Sequence, residues 1–224
     1  MSKPRVVHFL GELPGIGEDL IHKLVCNNVR CSIVDTWYDL LISKMSTELE
    51  IFSERPILFN PDLVYSNDVL LYFALHEQTV DFDALAGIDC NVILLLDGNS
   101  RIDVQGTSLN LIYVHDLISF SEVESIANKK LDELFDLCIS NPKDFNSLSD
   151  KKHWWVSQQD VAAGLLRLID YTRTLPQLIH ICGRRGWTNQ ETFEQLELLY
   201  NRTIAGSSGQ FQTSHLESKP VIHP

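Results

Sequence analysis

The sequence predicts an α/β fold: an open, doubly wound parallel sheet with helices on both faces. Three observations predict it. Short apolar runs rich in β-branched residues alternate along the chain with segments of helical periodicity. The runs 69–74 and 92–96 are almost wholly apolar, as strands covered on both faces are. A first strand, a glycine turn, a helix and a second strand fill about 30 residues, the size of a βαβ unit.

Taken in order, residues 6–10 read as a buried strand that ends at Gly11. Gly15 and Gly17 follow, then Leu20, Ile21, Leu24 and Val25 at helical spacing. The apolar run 31–34 is the second strand, closed by Asp35. Residues 56–59 give a short third strand, 69–74 a fourth, 92–96 a fifth and 109–114 a sixth, with a short helix over 80–86. In 120–138 the apolar positions 123, 126, 127, 131, 134, 135 and 138 predict an amphipathic helix. The polar stretch 140–152, with its Asn-Pro step, reads as a loop. Val161, Ala162, Leu165, Leu166 and Ile169 line one face of a helix over 159–171, and 178–182 is a further strand. Thr188-Asn-Gln-Glu191 has the form of a capping box and starts a last helix to about Ile204. The expected organisation is one domain over 1–205, with a core of 1–118, a reduced C-terminal lobe of 119–205, and a flexible tail over 206–224.

The chain has 224 residues, 44% of them apolar and 21% charged, a globular balance that excludes a disordered chain. Its net charge is -12, which argues against nucleic acid and against anionic membrane surfaces as partners. The five cysteines, at 26, 31, 90, 138 and 182, form no CxxC pair and suit thiols in a reducing compartment. The chain starts without a signal-peptide core, and its apolar runs are too short to cross a bilayer. The expectation is a soluble, cytoplasmic protein. No metal is expected: HExxH is absent and the eight histidines show no ligand spacing. GxSxG and GxxxxGK[ST] are absent too.

The most informative stretch is Gly11-Glu-Leu-Pro-Gly15-Ile16-Gly17, between a strand and a helix. Residues without Cβ let a backbone turn sharply and approach a pyrophosphate, and a helix N-terminus offers that anion free N–H groups. Asp35 stands 18 residues after Gly17, where a carboxylate can accept both ribose hydroxyls and repel a 2′-phosphate, favouring NAD over NADP. A tight strand-to-helix turn without a ligand would use the same glycines. Glu12 and Pro14 weaken the cofactor reading, one by its charge and the other by its missing N–H.

Over roughly residues 5–205 the sequence resembles the short-chain dehydrogenase/reductase superfamily. The GxxxGxG spacing is similar to its classical branch, and later segments to its extended branch, the NAD-dependent epimerase/dehydratase family acting on nucleotide sugars. Asn60-Pro-Asp62-Leu63 resembles the family's segment beside the adenine. Asn67-Asp68-Val69 through Phe73-Ala74-Leu75-His76 resembles its fourth strand, and Trp155-Val156 through Asp160-Val161-Ala162 its late "V-x-D-V-A" segment. The resemblance implies a Rossmann-like sheet and a dinucleotide held by Gly11, Gly15, Ile16, Gly17, Asp35, Asp62 and Ala74. It also implies a nucleotide-sugar ligand and a homodimer built on the apolar helix faces 120–138 and 159–171.

The departures bear on activity. The family's chemistry needs a Tyr-x-x-x-Lys pair, and none of the six tyrosines (38, 65, 72, 113, 171 and 200) has a lysine four residues later. Where the family has a serine after the fifth strand, this chain has Asp97 and Gly98, and Ser100 substitutes only if the turn bends back. The interval between the strands at 92–96 and 109–114 is too short for the family's catalytic helix. Substitute acid–base groups come from His76, Asp97, Ser100, Tyr113 and His115, the last followed by Asp116. Trp154-Trp155 would stack a nucleobase or anchor a loop, and Arg184-Arg185 would pair with a diphosphate or lie in a solvated turn. Three readings follow: a non-catalytic relative that binds a nucleotide or a protein partner, an interaction module without cofactor, and an active enzyme with rearranged groups.

Overall fold

A computed structural model describes residues 5–13, 15–52, 54–75, 80, 85, 87–100, 109–119, 126–140, 151–171 and 175–207. The elements are β1 (Val7–Gly11), α1 (Ile16–Cys26), β2 (Cys31–Ile33), α2 (Asp35–Lys44), α3 (Ser46–Ile51), β3 (Ile57–Leu58), a single 3-10 turn (Pro61–Leu63), β4 (Val69–Ala74), β5 (Asn91–Asp97) and β6 (Asn110–Val114). The C-terminal part adds β7 (Leu117–Ile118), α4 (Ile126–Ser140), β8 (Lys152–His153), β9 (Val156–Ser157), α5 (Gln158–Ile169), β10 (Leu178–Ile181), β11 (Trp187–Thr188) and α6 (Asn189–Ser207).

Seven strands form one sheet in the order β10-β6-β5-β4-β1-β2-β3. Every pairing in it is parallel. The order reverses between β1 and β4, so the chain winds outward from the middle in both directions. This is a Rossmann-like α/β fold, and its ligand-binding crevice, where one is used, lies at the carboxyl ends of the strands beside that reversal.

The uniform apolarity of β4 and β5 has a direct structural cause. On one face Val7, Phe9, Ile33, Leu71, Phe73, Ile93 and Leu95 pack under α1 and α5, which contribute Leu20, Ile21, Leu24, Val161, Ala162 and Leu165. On the other face Leu70, Leu94, Leu96 and Leu111 form a second core with Leu85 and Leu109. Alternate residues of one strand therefore feed two different cores. The apolar face predicted for α5 is buried within the chain, with Val161 and Ala162 at 0% exposure, and so is not free for a second copy. On α4, Ala127, Leu134 and Cys138 are likewise buried.

The predicted strands all form, shifted by a residue or two at their ends. The capping box forms as predicted: the Thr188 N–H donates to Glu191 Oε2 at 2.9 Å, and the Glu191 N–H to Thr188 Oγ1 at 3.1 Å. The helix it starts runs past Ile204 and Gly206 to Ser207, three residues beyond its predicted end. One correction concerns Asp35. It does not close β2, which ends at Ile33, but is the first residue of α2 and is exposed. Its carboxylate sits in the first helical turn, favourable to the helix dipole. Helices α2 and α3 were not predicted, nor were the two-residue pairs β7–β9 and β8–β11. The helix expected over 80–86 lies outside the described residues apart from Val80 and Leu85, and so do the middle of the 140–152 loop and the tail from residue 208.

The five cysteines are unpaired and differ sharply in environment. Burial, with Glu54 nearby, pushes the Cys31 thiol up to about 12, and burial raises Cys90 to about 11. Cys182 is exposed. A time course with Ellman's reagent near pH ~8 is expected to label Cys182 first and Cys31 only on unfolding, because the thiolate is the reactive form. Equal rates at all five thiols would contradict this packing.

Candidate functional site

The glycine turn closes the carboxyl end of β1. Gly11 has φ +79, and a Cβ there would lie 2.3 Å from the Phe73 carbonyl oxygen on β4. The next N–H, of Glu12, donates to that same carbonyl at 2.9 Å. Gly15 also has a positive φ, of 75, and precedes α1. A Cβ on Gly17 would press on Leu13 at 3.2 Å, and Leu13 is only 1% exposed. Each of the three glycines thus answers to the chain's own backbone or side chains. Ile16 is buried in the core rather than facing the turn. Pro14 lies outside the described residues.

Some of the donors and charges around this turn are engaged within the chain, and others are not. The Glu18 N–H, in the first turn of α1, donates to the Leu13 carbonyl at 3.0 Å. Glu18 itself pairs with Lys44 at 3.0 Å. Glu12 Oε2 is enclosed and finds no hydrogen-bond partner among the described residues. Asp19 adds a further carboxylate to the first turn of α1. From the first turn of α2, the half-buried Trp37 donates its indole Nε1–H to the Gly11 carbonyl at 3.1 Å. The indole therefore ties the start of α2 to the carboxyl end of β1. Asp62 is exposed in the 3-10 turn, its N–H capped by Asn60 Oδ1 at 3.0 Å, and Ala74 is buried at the end of β4.

The far half of the same edge gathers other polar rings. His115, just after β6, hydrogen-bonds through Nε2 to Nδ1 of His180 on β10 at 2.8 Å. Tyr113 stacks on His180 with ring centroids 5.6 Å apart. The parallel pairing of β6 with β10, which sets Tyr113 opposite His180, builds this cluster. A Cβ on Gly98 would fall 2.2 Å from His115 Nδ1, so the end of β5 packs closely on the imidazole. Asp97 accepts the Asn99 N–H at 2.8 Å, and the Ser100 N–H returns to the Asp97 carbonyl at 2.9 Å, which closes a tight turn at the end of β5. His76 lies outside the described residues.

Asp116, at φ +44, takes the His153 Nδ1–H at 3.2 Å and the Trp154 N–H at 2.8 Å. Its partner is therefore His153 rather than its neighbour His115. Trp155 stacks on His153 at 4.5 Å and donates to Thr192 Oγ1 at 3.1 Å, anchoring its loop, while Trp154 is 41% exposed. Arg185 pairs with Glu191 and lies 4.3 Å over the Trp187 ring. Among the described residues no group of three or more His, Cys, Asp or Glu side chains could hold a metal ion. No described helix is long and apolar enough to cross a membrane.

Sequence reasoning missed Trp37, His153 and His180. For His180 an isolated histidine in an apolar run gives no signal until the β6–β10 register is known. For Trp37 the signal was the run of apolar residues at 37, 41, 45 and 49, which marks the buried side of α2 and α3.

No protein-family model matches the chain, and no curated protein matches it. Solved structures do share its fold. Gre2 from Candida albicans in complex with NADPH is 12% identical, with 92% of this chain and 84% of that chain covered at a TM-score of 0.54. The Bordetella bronchiseptica enzyme WbmH in complex with NAD+ is 10% identical, with 91% and 83% covered and a TM-score of 0.53. WbmG of the same organism, in complex with NAD, is 9% identical, with 100% and 82% covered at 0.53. At these identities the likeness is one of fold.

Proposed function

We propose that this chain is a non-catalytic Rossmann-fold protein, a relative of the nucleotide-sugar epimerases and dehydratases, that acts by binding a protein partner in the cytoplasm. The observation that carries this reading is the crossover from β5 to β6. Only residues 98–109 separate Asp97 from Asn110, and residues 97–100 are taken up by a tight turn. A catalytic helix of several turns has no place there, at about 1.5 Å of rise per residue. With no tyrosine followed four residues later by lysine, the proton-transfer pair of the resembled family is gone.

The charges at the glycine turn disfavour a dinucleotide. A pyrophosphate needs free N–H groups and a positive field. Here the Glu18 N–H is bonded to Leu13, and Glu12 and Asp19 supply negative charge that no described cation pairs. The ribose end is bridged by Trp37. Of the two binding modes open to a non-catalytic relative, this favours the partner over the nucleotide.

The test is calorimetric titration with NAD, NADH, NADP and NADPH at low ionic strength, followed by incubation with NAD and a panel of nucleotide sugars. The expected result is no saturable heat and no change in nicotinamide absorbance. Turnover would sink the reading. It would favour a second one, in which His115, His180 and Tyr113 act as relocated acid–base groups, supported by the 2.8 Å histidine contact.

A further inference from the structure

We propose that the cavity at the amino-terminal ends of β1 and β2 is a binding site for a small zwitterion, an α-amino acid with an apolar side chain. The cavity lies at the end of the sheet opposite the glycine turn and is independent of it. Its volume is about 340 Å³, near the lower end of the range for small-molecule sites. Arg5 and Arg30 line it just before β1 and β2, Glu54 before β3, and Asp170 where α5 ends.

The fold brings these residues together because the strands of a parallel sheet start at one edge and the crossing helices end there. Helix α1 stops in a Schellman turn: Asn28 takes left-handed backbone at φ 53, its N–H donates to the Val25 carbonyl, and the Val29 N–H donates to the Leu24 carbonyl, both at 2.9 Å. That turn sets Val29 in the wall of the cavity and delivers Arg30 to β2, where the Arg30 carbonyl accepts the Val7 N–H at 3.0 Å. Helix α5 ends as the Asp170 N–H returns to the Leu166 carbonyl at 3.2 Å, and Arg5 donates an Nη1–H to the Ile169 carbonyl.

Four charges line the cavity, and only two of them pair. Arg30 Nε lies 3.3 Å from Glu54 Oε2. Arg5 is half-buried and meets only the neutral Ile169 carbonyl; its Nε–H is enclosed and finds no acceptor among the described residues. Neither Arg5 nor the exposed Asp170 forms an ion pair among the described residues. One guanidinium with unused N–H donors and one unpaired carboxylate thus share a single cavity. A ligand carrying both charges answers both. Its carboxylate takes the N–H groups of Arg5 in charge-assisted hydrogen bonds. Its ammonium faces Asp170 and the carbonyl ends of α1 and α5, where the helix dipoles place partial negative charge. The same field, with Glu54, disfavours a phosphate dianion. Val29 and Ile169 supply an apolar wall for the side chain.

The probe is leucine, titrated calorimetrically into the full chain at low ionic strength. Beside it are isocaproate, which is leucine without the ammonium, and isoamylamine, which is leucine without the carboxylate. Saturable binding of leucine is expected, with each analogue at least about tenfold weaker. Asp170→Asn and Arg5→Gln should each weaken leucine by at least about tenfold. Asp170 is exposed, so its variant should keep the wild-type urea midpoint, and it decides the matter if loss of the Arg5 bond to α5 unfolds the other.

Absence of saturable heat with leucine at ~10 mM overturns the site. Equal affinity for leucine and isocaproate overturns it too, because Arg5 would then hold any small anion. So does unchanged leucine affinity in a folded Asp170→Asn. None of these outcomes bears on the glycine turn, where the titration with NAD decides.

Discussion

Replacing Gly11 by alanine is expected to destabilise the protein by about 3–4 kcal/mol and to lower its melting temperature on the order of 10 °C. Two costs add. Alanine at φ +79 carries backbone strain of about 1–2 kcal/mol. Its Cβ would also stand 2.3 Å from the Phe73 carbonyl oxygen, so β1 and β4 must separate at their ends or the turn must be rebuilt. That separation breaks the Glu12-to-Phe73 hydrogen bond and loosens the stacked pair Phe9 and Phe73, whose rings lie 6.1 Å apart in the core. Thermal unfolding followed by circular dichroism measures the loss. The variant also separates two reasons for a glycine in such a turn. A glycine kept for a pyrophosphate alone could be replaced without harm to the apo protein. A shift under about 2 °C would show that the close approach is relieved at little cost.

Such reasoning explains which parts of the molecule could be read from its sequence. Strands β4 and β5 were legible because both faces of each are buried, which leaves a short continuous apolar run bounded by polar residues. The glycine turn was legible as a turn, but its purpose was not. Gly11, Gly15 and Gly17 satisfy Phe73, a left-handed backbone and Leu13, and a ligand-binding turn would show the same three letters. Helix α2 buries one residue, Leu41, so its periodicity is faint, and without the helix Trp37 could not be placed. The readings of Asp35 as a strand end and of Asp116 as the partner of His115 failed for a common reason. Each assigned a carboxylate to its neighbour in sequence, whereas the fold gives Asp35 to a helix start and Asp116 to His153, 37 residues away. The short interval between β5 and β6 was legible because it is a matter of length, and length needs no side-chain geometry.

Asp68→Ala is expected to cost about 4 kcal/mol, although no ligand touches this residue. Asp68 is 2% exposed and its two oxygens collect three groups: the Val6 N–H at 2.9 Å, the Tyr65 N–H at 2.9 Å and His8 Nε2 at 3.3 Å. Because a carboxylate only accepts, His8 carries its proton on Nε2, and its Nδ1 accepts the Ser32 hydroxyl at 2.7 Å. The chain Ser32–His8–Asp68 thus crosses three adjacent strands inside the sheet and closes it at the end opposite the glycine turn. Truncating Asp68 removes the acceptor of two backbone N–H groups and of the His8 Nε2–H in a place away from water. The same network sets an acid limit on stability. Burial lowers the His8 pKa from its ordinary 6.5, opposed in smaller measure by the hydrogen bond to Asp68 and its charge. The unfolded chain therefore takes up this proton first. His8 contributes its full stability above about pH 6.5, and the contribution falls as pH drops through that value toward the lower folded pKa. The slope is at most about 1.4 kcal/mol per pH unit for one proton. Glutamine can offer an N–H to Asp68 and an oxygen to the Ser32 hydroxyl without titrating. The urea midpoints of wild type and His8→Gln, each measured at pH ~7 and pH ~5, give the comparison, and the difference between the two proteins removes every other titrating group. Wild type should lose more than the variant on acidification. Equal losses would mean that His8 takes up its proton in the folded sheet as easily as in the unfolded chain, and that Asp68, rather than burial, governs its titration.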